Sequence, residues 1–99
     1  MPYMYPGKDN LPDVEELNDQ EIDCGGLHFE KDHRDNFCAH LATSDHAVFC
    51  RMYVMNFGSN WGYAFVHRQG GEITGKQSSN WNMYEAFQRG IVALKEFRQ

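Results

Sequence analysis

All three cysteines and four of the five histidines of this chain fall between residues 24 and 50. Cys24, His28, Cys38, His40, His46 and Cys50 carry the thiols and imidazoles that zinc prefers, and zinc takes four such donors tetrahedrally. The pairs Cys24/His28, Cys38/His40 and His46/Cys50 are near enough in sequence to bind locally, and a small domain gains folding energy from a bound metal. No Cys-x-x-Cys occurs, however. Free cysteine is also among the most buried residue types in any protein. Buried cysteines with surface histidines account for the same residues, so no cofactor is expected.

A thiol nucleophile needs a nearby base and an oxyanion site. Cys38 and His40 could align on one strand, with Asp35 or Asp45 near. Neither a helix N-terminus nor a Gly-rich turn stands behind Cys38, and Gly70-Gly71-Glu72 reads as a hairpin turn rather than a phosphate loop. The expectation is a chain that is not an enzyme.

The elements that must position these residues are clearest in the second half. Ala47 to Phe57 and Trp61 to Arg68 are apolar, rich in β-formers and separated by Gly58-Ser59-Asn60, so they read as two strands. Gln69-Gly70-Gly71 is a second turn and Glu72 to Lys76 a third, polar, edge strand. Asn82 caps a helix, with Glu85 at capping-box distance. Tyr84, Phe87, Ile91, Leu94 and Phe97 form its buried stripe, and Lys95 and Arg98 suit its negative end.

The first half reads less regularly. Residues 1–10 form an extended arm. Leu11, Val14 and Leu17, spaced by three after Asn10 and Pro12, predict a short acidic helix over 11–20. Leu27 to Glu30 fits a short strand, and residues 31–46 fit helix or strand. The expected fold class is α+β: a meander of three or more strands packed by the C-terminal helix, with a short N-terminal helix. One domain is expected over 1–99, comprising an acidic arm (1–23), an irregular Cys/His segment (24–46) and the meander plus helix (47–99).

If Phe57 opposes Trp61, then Tyr53 opposes Phe65 and Val54 opposes Ala64. Tyr53, Tyr63 and Phe65 would then share one face. The other face, with the small Ala64, would receive the helix, and the aromatic face would need cover from residues 24–46, a second copy or a ligand. Gly62-Tyr63-Ala64-Phe65-Val66 and Met52-Tyr53-Val54-Met55-Asn56-Phe57 resemble the two signatures of the RNA-recognition motif. That resemblance implies base stacking on a sheet face. Trp61 and Arg68 depart from the family's basic and aromatic ends, and only four residues separate the two segments. The alternative function it supports is an RNA- or single-strand-binding module using Tyr53, Tyr63 and Phe65, helped by Arg51, Arg68 and Lys76. A small zinc-stabilised adaptor is the other alternative.

Charge favours a different reading. Residues 1–35 carry ten acids and three bases, whereas the remainder carries four acids and six bases; the net charge is −5. A negative surface repels phosphate backbones and attracts basic ones. Asp13, Glu15, Glu16 and Asp19, with Trp61, Tyr63 and Phe65 as aromatic anchors, suit a protein partner with a basic surface, such as a nucleic-acid-binding complex. In size, charge and sheet-plus-helix layout the chain resembles small phage-encoded inhibitors of host defence, such as anti-CRISPR proteins. That resemblance implies a non-enzymatic inhibitor in the host cytoplasm. No signal peptide or membrane span is expected, the odd cysteine count suits a reducing compartment, and two apolar sheet faces are compatible with a homodimer.

Overall fold

In the N-terminal half, two-residue alternation wins over three-residue spacing. The structure, a computed structural model, describes residues 2–42 and 48–97. Eight strands follow one another: β1 (Tyr3–Tyr5), β2 (Val14–Glu16), β3 (Glu21–Cys24), β4 (Leu27–Lys31), β5 (Phe37–His40), β6 (Phe49–Asn56), β7 (Trp61–His67) and β8 (Ile73–Ser78). Each pairs antiparallel with the next, so the sheet order is the chain order. The sheet curls into a half-barrel, and the helix α1 (Met83–Glu96) packs into its concave side. No helix among the described residues is long and apolar enough to cross a membrane.

This corrects the expected α+β class: the chain is mostly β, and no N-terminal helix exists. Residues 11–20 instead hold a loop, β2 and a turn. Leu11, Val14 and Leu17 span less than two helical turns, too little to nucleate a helix without tertiary help. Val14 turns in and Glu15 out, and Ile22 and Cys24 alternate with Glu21 and Asp23. Asn18 makes the intervening turn, its side chain accepting from the Gln20 N–H at 2.8 Å. The segment 24–46, expected to be irregular, contributes β4 and β5. Gly25 and Gly26 join β3 to β4 with φ of 59° and 81°, the left-handed pair that a two-residue hairpin turn requires.

The C-terminal hairpins and the helix lie where the sequence places them. Asn82 Oδ1 accepts the Glu85 N–H at 2.8 Å, and Phe87, Ile91 and Leu94 are buried, but Phe97, expected in the same stripe, is the C-cap and is exposed. The register of β6 on β7, however, is shifted by one residue from the expected one. Asn56 opposes Trp61, Val54 opposes Tyr63, Met52 opposes Phe65 and Tyr53 opposes Ala64. The turn is therefore one residue longer, closed by the Phe57 N–H on the Asn60 carbonyl at 2.9 Å. A one-residue slip moves a strand's side chains to the other face. Tyr63 and Phe65 face the helix, while Tyr53 and Ala64 face out on the convex side. Gly90, rather than Ala64, makes room for the contact: a Cβ there would lie 2.9 Å from the Tyr63 Cβ.

The core lies between the concave face and α1. Phe87 meets Phe29 edge-on with centroids 4.9 Å apart, and meets Phe37 at 5.3 Å. Phe49 stacks on Phe65 at 4.8 Å. Val14, Ile22, Met52, Val54 and Ile91 fill the space between.

Candidate functional site

Strand alternation sends one set of residues from β2, β3 and β4 to the convex face. Glu15 stands opposite Asp23, Asp23 opposite His28, and Glu21 opposite Glu30. Like charges directly opposite each other destabilise a sheet, and here Glu15/Asp23 and Glu21/Glu30 are two such pairs on adjacent strands. Lys31, the one Lys or Arg within β1 to β4, points to the concave side, its Nζ 5.4 Å from the Phe37 ring centroid. No lysine or arginine of these strands shares the acidic face.

His28 is what offsets the repulsion. Its Nδ1 lies 2.6 Å from Asp23 Oδ1 and its Nε2 3.1 Å from Glu21 Oε2. The hydrogen bond to Asp23, then that to Glu21, holds the imidazolium and raises its pKa above the ordinary value. Glu21 also accepts from Asn18 Nδ2 at 2.8 Å; that bond, then the one to His28, lowers its pKa. Both ion pairs found among the described residues belong to His28.

The pH consequence follows from these directions. A raised histidine pKa contributes stability below its unfolded value and loses it as pH rises through the folded one. A lowered carboxylate pKa contributes stability above its unfolded value and loses it as pH falls through the folded one. The clamp is therefore complete between Glu21 ionisation and His28 deprotonation. Following the His28 ring protons by NMR, Asp23→Asn is expected to move the His28 titration down toward an ordinary histidine. An unmoved titration would contradict the clamp.

The face also carries the residues best placed to hold a metal. Ligand atoms of Glu21, His28 and Glu30 lie within 4.8 Å of one another, the one such group among the described residues. The zinc set weighed as an alternative does not converge among the described residues. Cys24 is 2 % exposed on the concave side, its thiol pushed up to about 12 by burial, whereas His28, Cys38 and His40 point outward. Cys50 sits at the β6 irregularity, 3.9 Å from the His67 carbonyl. His46 and Asp45 lie outside the described residues.

The other expected sites are dispersed as well. Asp13 accepts the Gly7 N–H at 2.7 Å within the β1–β2 loop. Glu16 turns inward and accepts from the Tyr84 hydroxyl; burial, then this bond, raises that phenol's pKa above its ordinary value. Asp19 is exposed in the β2–β3 turn. Only Glu15 of the four expected acids stands on the convex face. Of the expected anchors, Phe65 is fully buried, Trp61 is half-buried near Phe37, and Tyr63 stacks on Trp81 at 5.8 Å. Tyr53 is on the opposite side from Tyr63 and Phe65, accepting from Arg51 Nη1 at 3.2 Å, so the three rings weighed for base stacking do not share one face. Of their expected basic helpers, Arg51 bonds Tyr53, Arg68 Nη2 donates to the Phe49 carbonyl at 2.8 Å, and Lys76 lies on β8. Burial raises the Cys38 thiol pKa, and a protonated thiol is not an activated nucleophile. Asp35 lies in the β4–β5 turn with φ of 62°.

Glu21, Asp23 and Glu30 were missed as site residues, and His28 was weighed only as a zinc ligand, not as the partner of these acids. The signal that would have found them is the acid-x-acid and His-x-Glu alternation on either side of Gly25-Gly26. Set against the models of known protein families, the curated proteins and the solved structures, the chain matches none.

Proposed function

We propose that the chain is a non-enzymatic binding protein whose convex β2–β4 face docks on the basic surface of a partner protein. A nucleic-acid-binding surface is the chemistry that fits, and occupying it would inhibit that partner. One observation carries the reading: Glu15, Glu21, Asp23 and Glu30 are held in register on adjacent strands, with His28 the only cation among them. Such an array costs the isolated fold and is relieved when positive charge arrives, and long-range attraction speeds that encounter. Three unpaired cysteines suit a reducing compartment such as the cytoplasm.

The test uses a fluorescent oligo-arginine peptide as the basic probe. The quadruple variant Glu15→Gln/Glu21→Gln/Asp23→Asn/Glu30→Gln is expected to keep its circular-dichroism spectrum and to bind the peptide about tenfold more weakly or worse. Wild-type binding should weaken steeply with salt. A folded variant with undiminished affinity would remove the convex face from the account.

A further inference from the structure

On the helix side of the molecule, a second feature is built with more care than a simple connection needs. The loop over residues 6–13 lies across the first turns of α1, and Gln88 holds it there. Gln88 is 2 % exposed, and its Nε2 donates to the Pro6 carbonyl at 3.4 Å and the Pro12 carbonyl at 3.0 Å. Its amide hydrogens are thus engaged, and Oε1 has no protein partner among the described residues. A buried acceptor left unpaired is costly and calls for an occupant. Asp9 and Asn10 sit at φ of 51° and 74°, the left-handed region that Asp and Asn tolerate best after glycine, in a turn closed by the Leu11 N–H on the Lys8 carbonyl at 2.9 Å.

Between this loop and the helix is a cleft of about 330 Å³, and Gln88 is among the residues lining it. Tyr5 forms one wall, its ring stacked flat on Tyr84 with centroids 4.3 Å apart. Lys8, Asp9, Glu85 and Arg89 supply two positive and two negative groups around it. None of the four forms an ion pair. Glu85 and Arg89 even stand four residues apart on the helix, a spacing that ordinarily lets such side chains meet. The cleft therefore offers unpaired charge of both signs, one buried acceptor and one aromatic wall. Its volume is at the small end for ligand sites.

We propose that this cleft binds a small zwitterion of the α-amino-acid class. Lys8 and Arg89 would take the carboxylate, Asp9 and Glu85 the ammonium, and Gln88 Oε1 would accept one of the ammonium hydrogens. The side chain would lie along Tyr5. A simple anion leaves both carboxylates facing it, and a simple cation leaves both bases; only a ligand with both charges suits all four groups.

The experiment titrates the 15N-labelled full chain with each free L-amino acid at millimolar concentration. At least one is expected to give saturable shifts confined to residues 5–13, the Gln88 side-chain amide and the start of α1. The N-acetyl and the amide derivatives of that amino acid, each lacking one charge, should bind about tenfold more weakly. Arg89→Gln, at an exposed position, should also bind about tenfold more weakly with an unchanged thermal midpoint. Absence of any saturable shift would overturn the proposal. So would equal binding of the N-acetyl derivative, which marks an anion site, or of the amide, which marks a cation site.

Discussion

Phe87→Ala is expected to lower the unfolding free energy by about 3–5 kcal/mol, the range for emptying a buried phenylalanine site. Phe87 is fully buried and reaches from α1 to Phe29 on β4 and Phe37 on β5. It thus ties the C-terminal helix to the N-terminal half of the sheet, two parts far apart in sequence. The aromatic edge contacts, lost with the ring, add to the area left unburied. A domain of this size has about 5–15 kcal/mol in total, so the variant should be marginal. Urea unfolding followed by the fluorescence of Trp61 and Trp81 measures it. Phe87→Leu should recover part of the loss because it refills part of the volume. A cost near zero for the alanine variant would mean that the helix does not pack where it is described.

The second large effect is one of sign. Gly90 lies inside α1, and replacing a helix-interior glycine by alanine ordinarily gains up to about 1 kcal/mol. Here the gain is opposed by contact. The added methyl would lie 2.4 Å from Met52 Cε and 2.9 Å from Tyr63 Cβ. Met52 is itself fully buried, so its flexible end has little free space to move into. Overpacking of this kind costs about 1–3 kcal/mol, and Gly90→Ala is expected to lower the thermal midpoint. A midpoint that rises would show that helix and sheet are farther apart than the β6–β7 register requires.

How much of this was legible in the residues differs between the two halves. β6, β7, β8 and α1 were readable because long apolar strands, glycine turns and a capped amphipathic stripe are strong local signals that agree with the final packing. The β6–β7 register was not readable, because the turn could close over three residues or four. That single residue decided whether Tyr53 sits beside Phe65 or on the opposite face. In the first half the signals conflicted. Leu11, Val14 and Leu17 offered a helical period, while Glu21-Ile22-Asp23-Cys24 offered a strand period; short strands depend on neighbours for stability, and the neighbours are not local. The Cys/His cluster is dispersed for the same reason. Once residues 24–42 are strands, alternation sends Cys24 inward and His28, Cys38 and His40 outward, and sequence proximity no longer means convergence. The acidic character of the first third was legible, but its geometry was not. Asp13 and Glu16 were drawn into the loop and the helix contact, and Glu21, Asp23 and Glu30 replaced them on the outer face.

The balance of that face is set by His28. With its proton it offsets part of the charge of Asp23 and Glu21; without it the face is more negative and the clamp is weaker. Because every member is at least partly exposed, salt screens these interactions. These interactions therefore add little to the stability of the fold, and the net charge of the face follows the protonation of His28.

The most direct measurement of the central claim is the footprint of the oligo-arginine probe on the 15N-labelled chain, recorded at low and at high salt. The expected result is a set of shifts centred on Glu15, Glu21, Asp23, His28 and Glu30 that fades with salt and is lost in the quadruple variant. Shifts centred on β6 to β8, or none on β2 to β4, would contradict it.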